Sequence, residues 1–111
     1  MTHDVSGRHV VALDLDGVAD KEGLMERCVH ALELPDWFGR NWDALADSLA
    51  DPSVWPAAVG ERGLLVVVTG WRGYARTRPD EWATAEDVFA QAADRTPALT
   101  VALALGETPA R

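Results

Sequence analysis

The sequence has little cysteine, little lysine and no long hydrophobic run. Cys28 is the only cysteine among 111 residues, so no disulfide can form within the chain, and a reducing compartment, the cytoplasm, is expected. The longest apolar runs, such as residues 64–68, have the length of a β-strand, whereas a membrane-spanning helix needs about 20 apolar residues. The first residues also lack the apolar segment of a secretory signal. These absences argue against a disulfide scaffold and against a membrane protein.

Positive charge is also scarce. The chain has 10 Lys and Arg residues against 18 Asp and Glu residues, which gives a net charge of −8. The imbalance lies in residues 1–60, which hold 11 acidic and 4 basic residues. Because phosphate binding needs clustered cations, nucleic acid and anionic membranes are disfavoured as partners. The charge favours a basic partner, or none.

Composition and length predict one α/β domain. With 48% hydrophobic and 25% charged residues the chain has the profile of a globular domain, which we assign to residues 1–111 with 106–111 as a frayed tail.

Runs of apolar and β-branched residues predict three strands, at 9–15, 64–69 and 99–105. Helical spacing of apolar residues predicts helices at 22–32, 42–50 and 80–93. Residues 70–79 are predicted to form a loop, and a short irregular or 3₁₀ segment is expected around Trp55. Strands separated by helices need crossover connections, so we expect a three-stranded parallel sheet packed with about four helices. The continuous apolar character of 64–69 predicts a strand covered on both faces.

The predicted helix 42–50 separates its apolar and acidic residues onto different faces. At about 100° per residue its apolar stripe consists of Trp42, Leu45 and Leu49. The opposite side carries the carboxylates of Asp43, Asp47 and Asp51, with Ala46 and Ala50 between the two stripes. Like charges at this spacing repel each other, so helix stability alone does not explain them. Asn41 is a good N-cap for this helix.

Two aromatic residues, Trp37 and Phe38, directly precede this helix. Aromatic side chains beside charged residues are typical of protein interfaces, although core packing is the alternative for both residues and for Phe38 in particular. A solvated acidic helix face is the corresponding alternative for the carboxylates. Together the two features indicate a surface that binds a protein.

The run of residues 34–49 resembles the signature of the barstar family of ribonuclease inhibitors. The matching positions are Pro35, Trp37, Phe38, Gly39, Asn41, Asp43, Ala44, Leu45 and Asp47. The resemblance implies an inhibitor rather than an enzyme, a monomer without cofactor or metal that forms a one-to-one complex. Its target would be a small, basic, guanyl-type microbial ribonuclease, whose active site the acidic helix and the preceding loop would block.

The resemblance also implies roles for individual residues. Asp47 would occupy the enzyme's phosphate site, Asp43 would pair with cations at its rim, and Trp37 and Gly39 would pack against its catalytic edge. Asn41 would hold the junction between loop and helix. The complete set of partner-binding residues implied in this way is Trp37, Phe38, Gly39, Asn41, Asp43, Ala46, Asp47, Ala50 and Gln91.

Four departures from the family pattern point to a different cognate enzyme. Family members often have an aromatic residue at Ala46 and Thr-Gly where this chain has Ala50-Asp51. Acidic residues are common at the positions of Gln91 and Arg40. The departures leave the general binding mode intact.

Two other functions remain open. The same acidic surface would suit an immunity or binding module for another basic toxin or nuclease. The run Asp14-Leu-Asp16-Gly17 resembles the nucleophile loop of haloacid-dehalogenase-type phosphatases, in which two Asp residues hold Mg²⁺. A suitably placed lysine and a downstream acidic pair are absent from the sequence, and a turn that ends a strand explains Asp16-Gly17 more simply.

The remaining polar residues give weaker signals. His9 and His30 have no Cys or His at metal-ligand spacing. The arginines of residues 72–78 could contact RNA, but Asp80 and Glu81 beside them favour local ion pairs. Cys28, among apolar residues of a predicted helix, is expected to be a buried hydrophobe.

Overall fold

A computed structural model of the protein describes residues 7–104. It contains a sheet of three parallel strands, β1 (His9–Asp14), β2 (Leu64–Thr69) and β3 (Leu99–Leu103), in the spatial order β1-β2-β3. This confirms the predicted α/β class and the parallel sheet. The expected frayed tail at 106–111 and the last residue of the predicted third strand lie outside the described residues.

Four α-helices connect and cover the strands, as expected. They are α1 (Lys21–Leu32), α2 (Trp42–Leu49), α3 (Arg72–Thr77) and α4 (Pro79–Arg95). Two single 3₁₀ turns, Pro52–Val54 and Ala57–Val59, follow α2. Within residues 7–104 no helix is both long enough and apolar enough to cross a membrane.

The prediction of a loop over residues 70–79 is wrong, because α3 lies within it. Local signals for this helix are weak: Gly73 falls inside it, and no side chain caps its N-terminus. Its stability comes from packing instead. Tyr74 is buried, its ring meets the Trp82 ring of α4 edge-on at 6.1 Å, and its hydroxyl donates to Glu81 at 3.0 Å.

The helices pack against one face of the sheet. The side chains that β1, β2 and β3 contribute to this core are Val11, Leu13, Leu64, Val66, Val68 and Leu99. On the other face Leu65 lies in register between Val10 and Thr100, outside the helix-packed core. Leu65 is buried but Val10 is 54% exposed. The apolar run of β2 therefore predicts its burial correctly, but helices cover only one of its faces.

The direction of the strands defines which segments lie at the carboxyl end of the sheet and which at its amino end. The strands are parallel, so each connection between consecutive strands must return the chain from the carboxyl end of the sheet to its amino end. The loop after β1 consequently lies at the carboxyl end of the sheet. The end of α4, which leads directly into β3, lies at the amino end.

Candidate protein-binding surface

Helix α2 begins at an N-cap, as the sequence predicts. Asn41 has an extended backbone, with φ −138°, and its side-chain oxygen accepts a hydrogen bond from the Ala44 amide at 2.8 Å. Asp43 lies in the first turn, where the helix dipole favours an acidic residue. The start of α2 is therefore fixed by a local hydrogen bond.

The inner face of α2 is apolar and its outer face is acidic. Leu45 and Leu49 are almost completely buried, and Trp42 packs partly buried against the same core. Asp43 and Asp47 are exposed, and 74% of the Asp47 side chain is accessible. The structure thus confirms that both carboxylates point away from the core.

Asp51 does not belong to the acidic face of α2. The helix ends at Leu49, and Asp51 instead caps the following 3₁₀ turn. Its carboxylate accepts hydrogen bonds from the Ser53 hydroxyl at 2.7 Å and the Ser53 amide at 3.0 Å, and these bonds lower the pKa of Asp51. The predicted row of three carboxylates is therefore shortened to two on the helix.

Only one of the two adjacent aromatic residues is exposed. Trp37 is 72% exposed, whereas Phe38 is 6% exposed and belongs to the hydrophobic core. The Phe38 amide donates to the Pro35 carbonyl at 3.0 Å, which closes a tight turn in the connector between α1 and α2. The core alternative for Phe38 is therefore the correct one in the free protein, and burying this side chain holds Trp37 at the surface.

Gly39 allows the connector to lie against the start of α2. A Cβ atom at this position would lie 3.2 Å from the Asn41 side-chain nitrogen and 3.5 Å from the Ala44 Cβ. The Asn41 side chain also donates to the Gly39 carbonyl at 3.3 Å. A larger residue would press on the N-cap side chain of Asn41. The lack of a side chain at Gly39 therefore allows the connector to pack closely against the start of α2.

Arg40 ties the connector to α1. It has a positive φ of 54°, and its guanidinium pairs with the Glu26 carboxylate. The hydrogen bond and the charge of Arg40 lower the pKa of Glu26, which also contacts His30 at 3.2 Å. A cavity of about 390 Å³ lies beside this pair, lined by Lys21, Glu22, Met25, Glu26 and Arg40. The cation at position 40 is thus already paired within the chain.

The remaining residues of the implied partner-binding set lie on α2, directly after it, and on α4. Ala46 is 8% exposed, so it offers a partner little surface in the free protein. Ala50 is partly buried, and its carbonyl accepts a hydrogen bond from the Thr96 hydroxyl at 2.7 Å. Gln91 is exposed on α4.

An ion pair that the sequence did not predict joins the two helices. Arg95, in the last turn of α4, lies 3.4 Å from the Asp47 carboxylate. The two residues are 48 positions apart, so no local pattern shows the contact. The carboxylate expected to be central to binding therefore has a cation of the same chain beside it.

The loop after β1 offers no support for phosphatase chemistry. The Asp14 carboxylate accepts from the Asp16 amide at 2.9 Å, and Arg27 donates to the backbone carbonyls of both aspartates. Gly70 closes against this turn so tightly that a Cβ there would lie 2.7 Å from the Asp16 nitrogen. Among residues 7–104 there is no group of three acidic, His or Cys side chains that could hold a metal ion.

Two of the three arginines in residues 72–78 are engaged locally. Arg78 pairs with Glu81 at 3.4 Å, as the sequence predicts, and the Arg72 guanidinium lies over the Trp71 ring, 5.0 Å from its centre. These contacts favour a local structural role over RNA binding.

The exposed acidic face of α2, with an exposed tryptophan in the connector before it, is complementary in charge to a basic protein surface. The family model described as Barstar (barnase inhibitor) matches residues 8–105, nearly the whole chain. The chain therefore belongs to the Barstar family. No curated protein matches the chain.

Proposed function

We propose that this protein inhibits a small, basic, guanyl-type ribonuclease by blocking its active site with α2 and the connector before it. The free protein is a monomer in the cytoplasm, needs no cofactor and forms a one-to-one complex. The single observation that carries the proposal is that Asp43, Asp47 and Trp37 are all exposed on one short, capped segment.

The electrostatics support this mode of binding. A ribonuclease active site is arranged to bind the negative charge of an RNA phosphate, and a carboxylate can take the same position. Asp47 lies on a helix whose N-terminus is capped and whose inner face is buried, so binding orders little of the backbone. In this proposal Asp47 enters the phosphate site and Asp43 pairs with cations at the rim.

Trp37 supplies the apolar contact. An aromatic side chain that is exposed in the free protein and buried in the complex is the usual energetic centre of an interface. Gly39 and the Asn41 cap set the angle between the tryptophan and the helix. Phe38 and Ala46 support this surface from below and are not themselves proposed as principal contacts.

The direct test is inhibition of RNA cleavage by barnase, the enzyme named in the family description. We expect the wild-type chain to inhibit, and Asp47→Asn to weaken binding by about 2 kcal/mol or more, because a buried cation loses its partner. Asp16→Asn is the matched control, since it makes the same charge change at the carboxyl end of the sheet. Equal inhibition by Asp47→Asn and wild type would show that the contact assignment is wrong.

A second candidate function is an immunity or binding module for another basic toxin or nuclease. It is favoured by the two arginines, Arg40 and Arg95, that interrupt the acidic surface. A panel of small basic ribonucleases separates the two functions. Inhibition of none of them, with Trp37 and Asp47 still required for capture of another basic toxin, would favour the second.

A further inference from the structure

The exposed carboxylate of Asp47 is paired within the free protein. Its oxygen Oδ1 lies 3.4 Å from Nη2 of Arg95, and both side chains remain more than half exposed. Asp43, one turn earlier on α2, forms no ion pair within residues 7–104. The two acidic residues of the helix face therefore differ in the charge that surrounds them.

The position of Arg95 is set by buried packing. The Thr96 hydroxyl, in a residue that is 7% exposed, donates to the Ala50 carbonyl just after α2. This bond holds the end of α4 beside the end of α2. Arg95 also lies in the last turn of α4, where the helix dipole favours a cation. The fold consequently places the backbone of Arg95 where its guanidinium can reach Asp47.

A partner that binds Asp47 must accommodate this guanidinium. A cation that approaches the carboxylate also approaches Arg95, and the repulsion of like charges grows as water is excluded. The repulsion weakens binding most at an enzyme site that has several cations around its phosphate position. A site that offers a carboxylate or carbonyl oxygen beside its cation can instead accept hydrogen bonds from Arg95.

We infer that Arg95 is a specificity-determining residue: it weakens binding to anion sites surrounded by cations and selects a ribonuclease with a hydrogen-bond acceptor facing the end of α4. The inference rests on the proposed function and names the kind of partner for it.

The test compares Arg95→Gln with Arg76→Gln, using barnase as the probe. Both variants remove one positive charge from an exposed arginine, but Arg76 lies on α3, at the other end of α4. The 17 residues of α4 separate these ends by about 25 Å. We expect Arg95→Gln to lower the dissociation constant about fivefold, more at low salt. Arg76→Gln should change it less than about twofold, because its charge is largely screened. Circular dichroism checks that both variants are folded.

The outcomes distinguish this inference from the proposed function. If wild type inhibits barnase and Arg95→Gln binds equally or more weakly, the specificity role is wrong while the proposed function stands. If wild type does not inhibit but Arg95→Gln does, discrimination by Arg95 is confirmed. If neither chain inhibits barnase, both the proposed function for this enzyme and the inference that rests on it are overturned.

Discussion

Trp37 and Val10 are the large hydrophobic residues that stand exposed in the described structure, by 72% and 54%. They lie in different settings. Trp37 is in the connector directly before α2, whereas Val10 is on the outer face of the edge strand β1, in register with Leu65 of β2. Single exposed hydrophobic residues are common, so exposure by itself says little. The neighbouring carboxylates are what make Trp37 a candidate contact.

Replacing Trp37 by Ala is expected to weaken binding to barnase by about 2 kcal/mol, because an interface centre is lost. The free energy of unfolding should change by less than about 0.5 kcal/mol, since the side chain is mostly in water already. Titration calorimetry and urea unfolding measure the two quantities. Val10→Ala is the control: it also truncates an exposed hydrophobic residue and should leave binding unchanged. An unfolding penalty of about 2 kcal/mol for Trp37→Ala would instead assign the tryptophan a structural role.

At the residue scale, the sequence predicts which charged side chains of α2 face the solvent better than it predicts the residues that those side chains contact. The angular spacing along α2 was sufficient to place Asp43 and Asp47 on the solvent side. Spacing could not show that Arg95 lies beside Asp47, because that contact depends on how α2 and α4 pack. Nor could it separate Trp37 from Phe38, whose opposite exposure depends on the turn closed by the Pro35 carbonyl.

At the element scale, the helices with strong apolar periodicity were predictable and α3 was not. α1 and α4 each bury a regular apolar stripe, and α1 also has a side-chain cap at Asp20. α3 has six residues, one of them a glycine, and no side-chain cap. A helix this short is not stable alone, so its existence depends on burying Tyr74 against α4.

The hydrogen bond between α4 and the residue after α2 should contribute measurably to stability. The Thr96 hydroxyl donates to the Ala50 carbonyl at 2.7 Å in a buried setting. Thr96→Val removes the donor, and we expect the free energy of unfolding to fall by about 1 kcal/mol in urea denaturation. Thr84→Val is the control, because its hydroxyl bonds the Asp80 carbonyl within α4 at an exposed position. Equal effects of the two changes would rule out a special contribution from the inter-helix bond.

The connector's attachment to α1 is expected to depend on pH. Arg40 holds the pKa of Glu26 below its ordinary value of 4.5. A lowered pKa in the folded state means that the pair stabilises the fold above pH 4.5 and that this stabilisation is lost as pH falls through the lowered value. The difference in unfolding free energy between wild type and Glu26→Gln should therefore shrink on acidification. Urea unfolding at a series of pH values measures it, with Glu86→Gln as an exposed control. A difference that grows below pH 4.5 would contradict this assignment.

At the scale of the whole molecule, the uneven charge should speed association by attracting a basic partner before the two proteins touch. The net charge is −8, and residues 1–60, which include α2, hold 11 acidic and 4 basic residues. The association rate with barnase should fall roughly tenfold or more as salt is raised from low to high concentration, because long-range attraction is screened. The dissociation rate should change much less. Surface plasmon resonance measures both rates, and a salt-independent association rate would show that steering is absent.

The parallel direction of the strands was predictable because it follows from the alternation of strands and helices. Parallel strands need crossover connections, and helices between the strands provide them. The structure has the parallel sheet that this alternation predicts. The uncovered outer face was not predictable, because an apolar run such as that of β2 is equally compatible with burial by helices or by neighbouring strands. Only the register with Val10 and Thr100 shows which applies.

The capped, closely packed join between the connector and α2 also has a kinetic consequence. The hydrogen bonds of Asn41 and the burial of Phe38 leave the segment little to rearrange when a partner arrives. Stopped-flow mixing should then give single-exponential traces whose observed rate rises in proportion to enzyme concentration without reaching a plateau. Binding would then be a single step, with its rate set by the encounter of two preformed surfaces in the correct orientation.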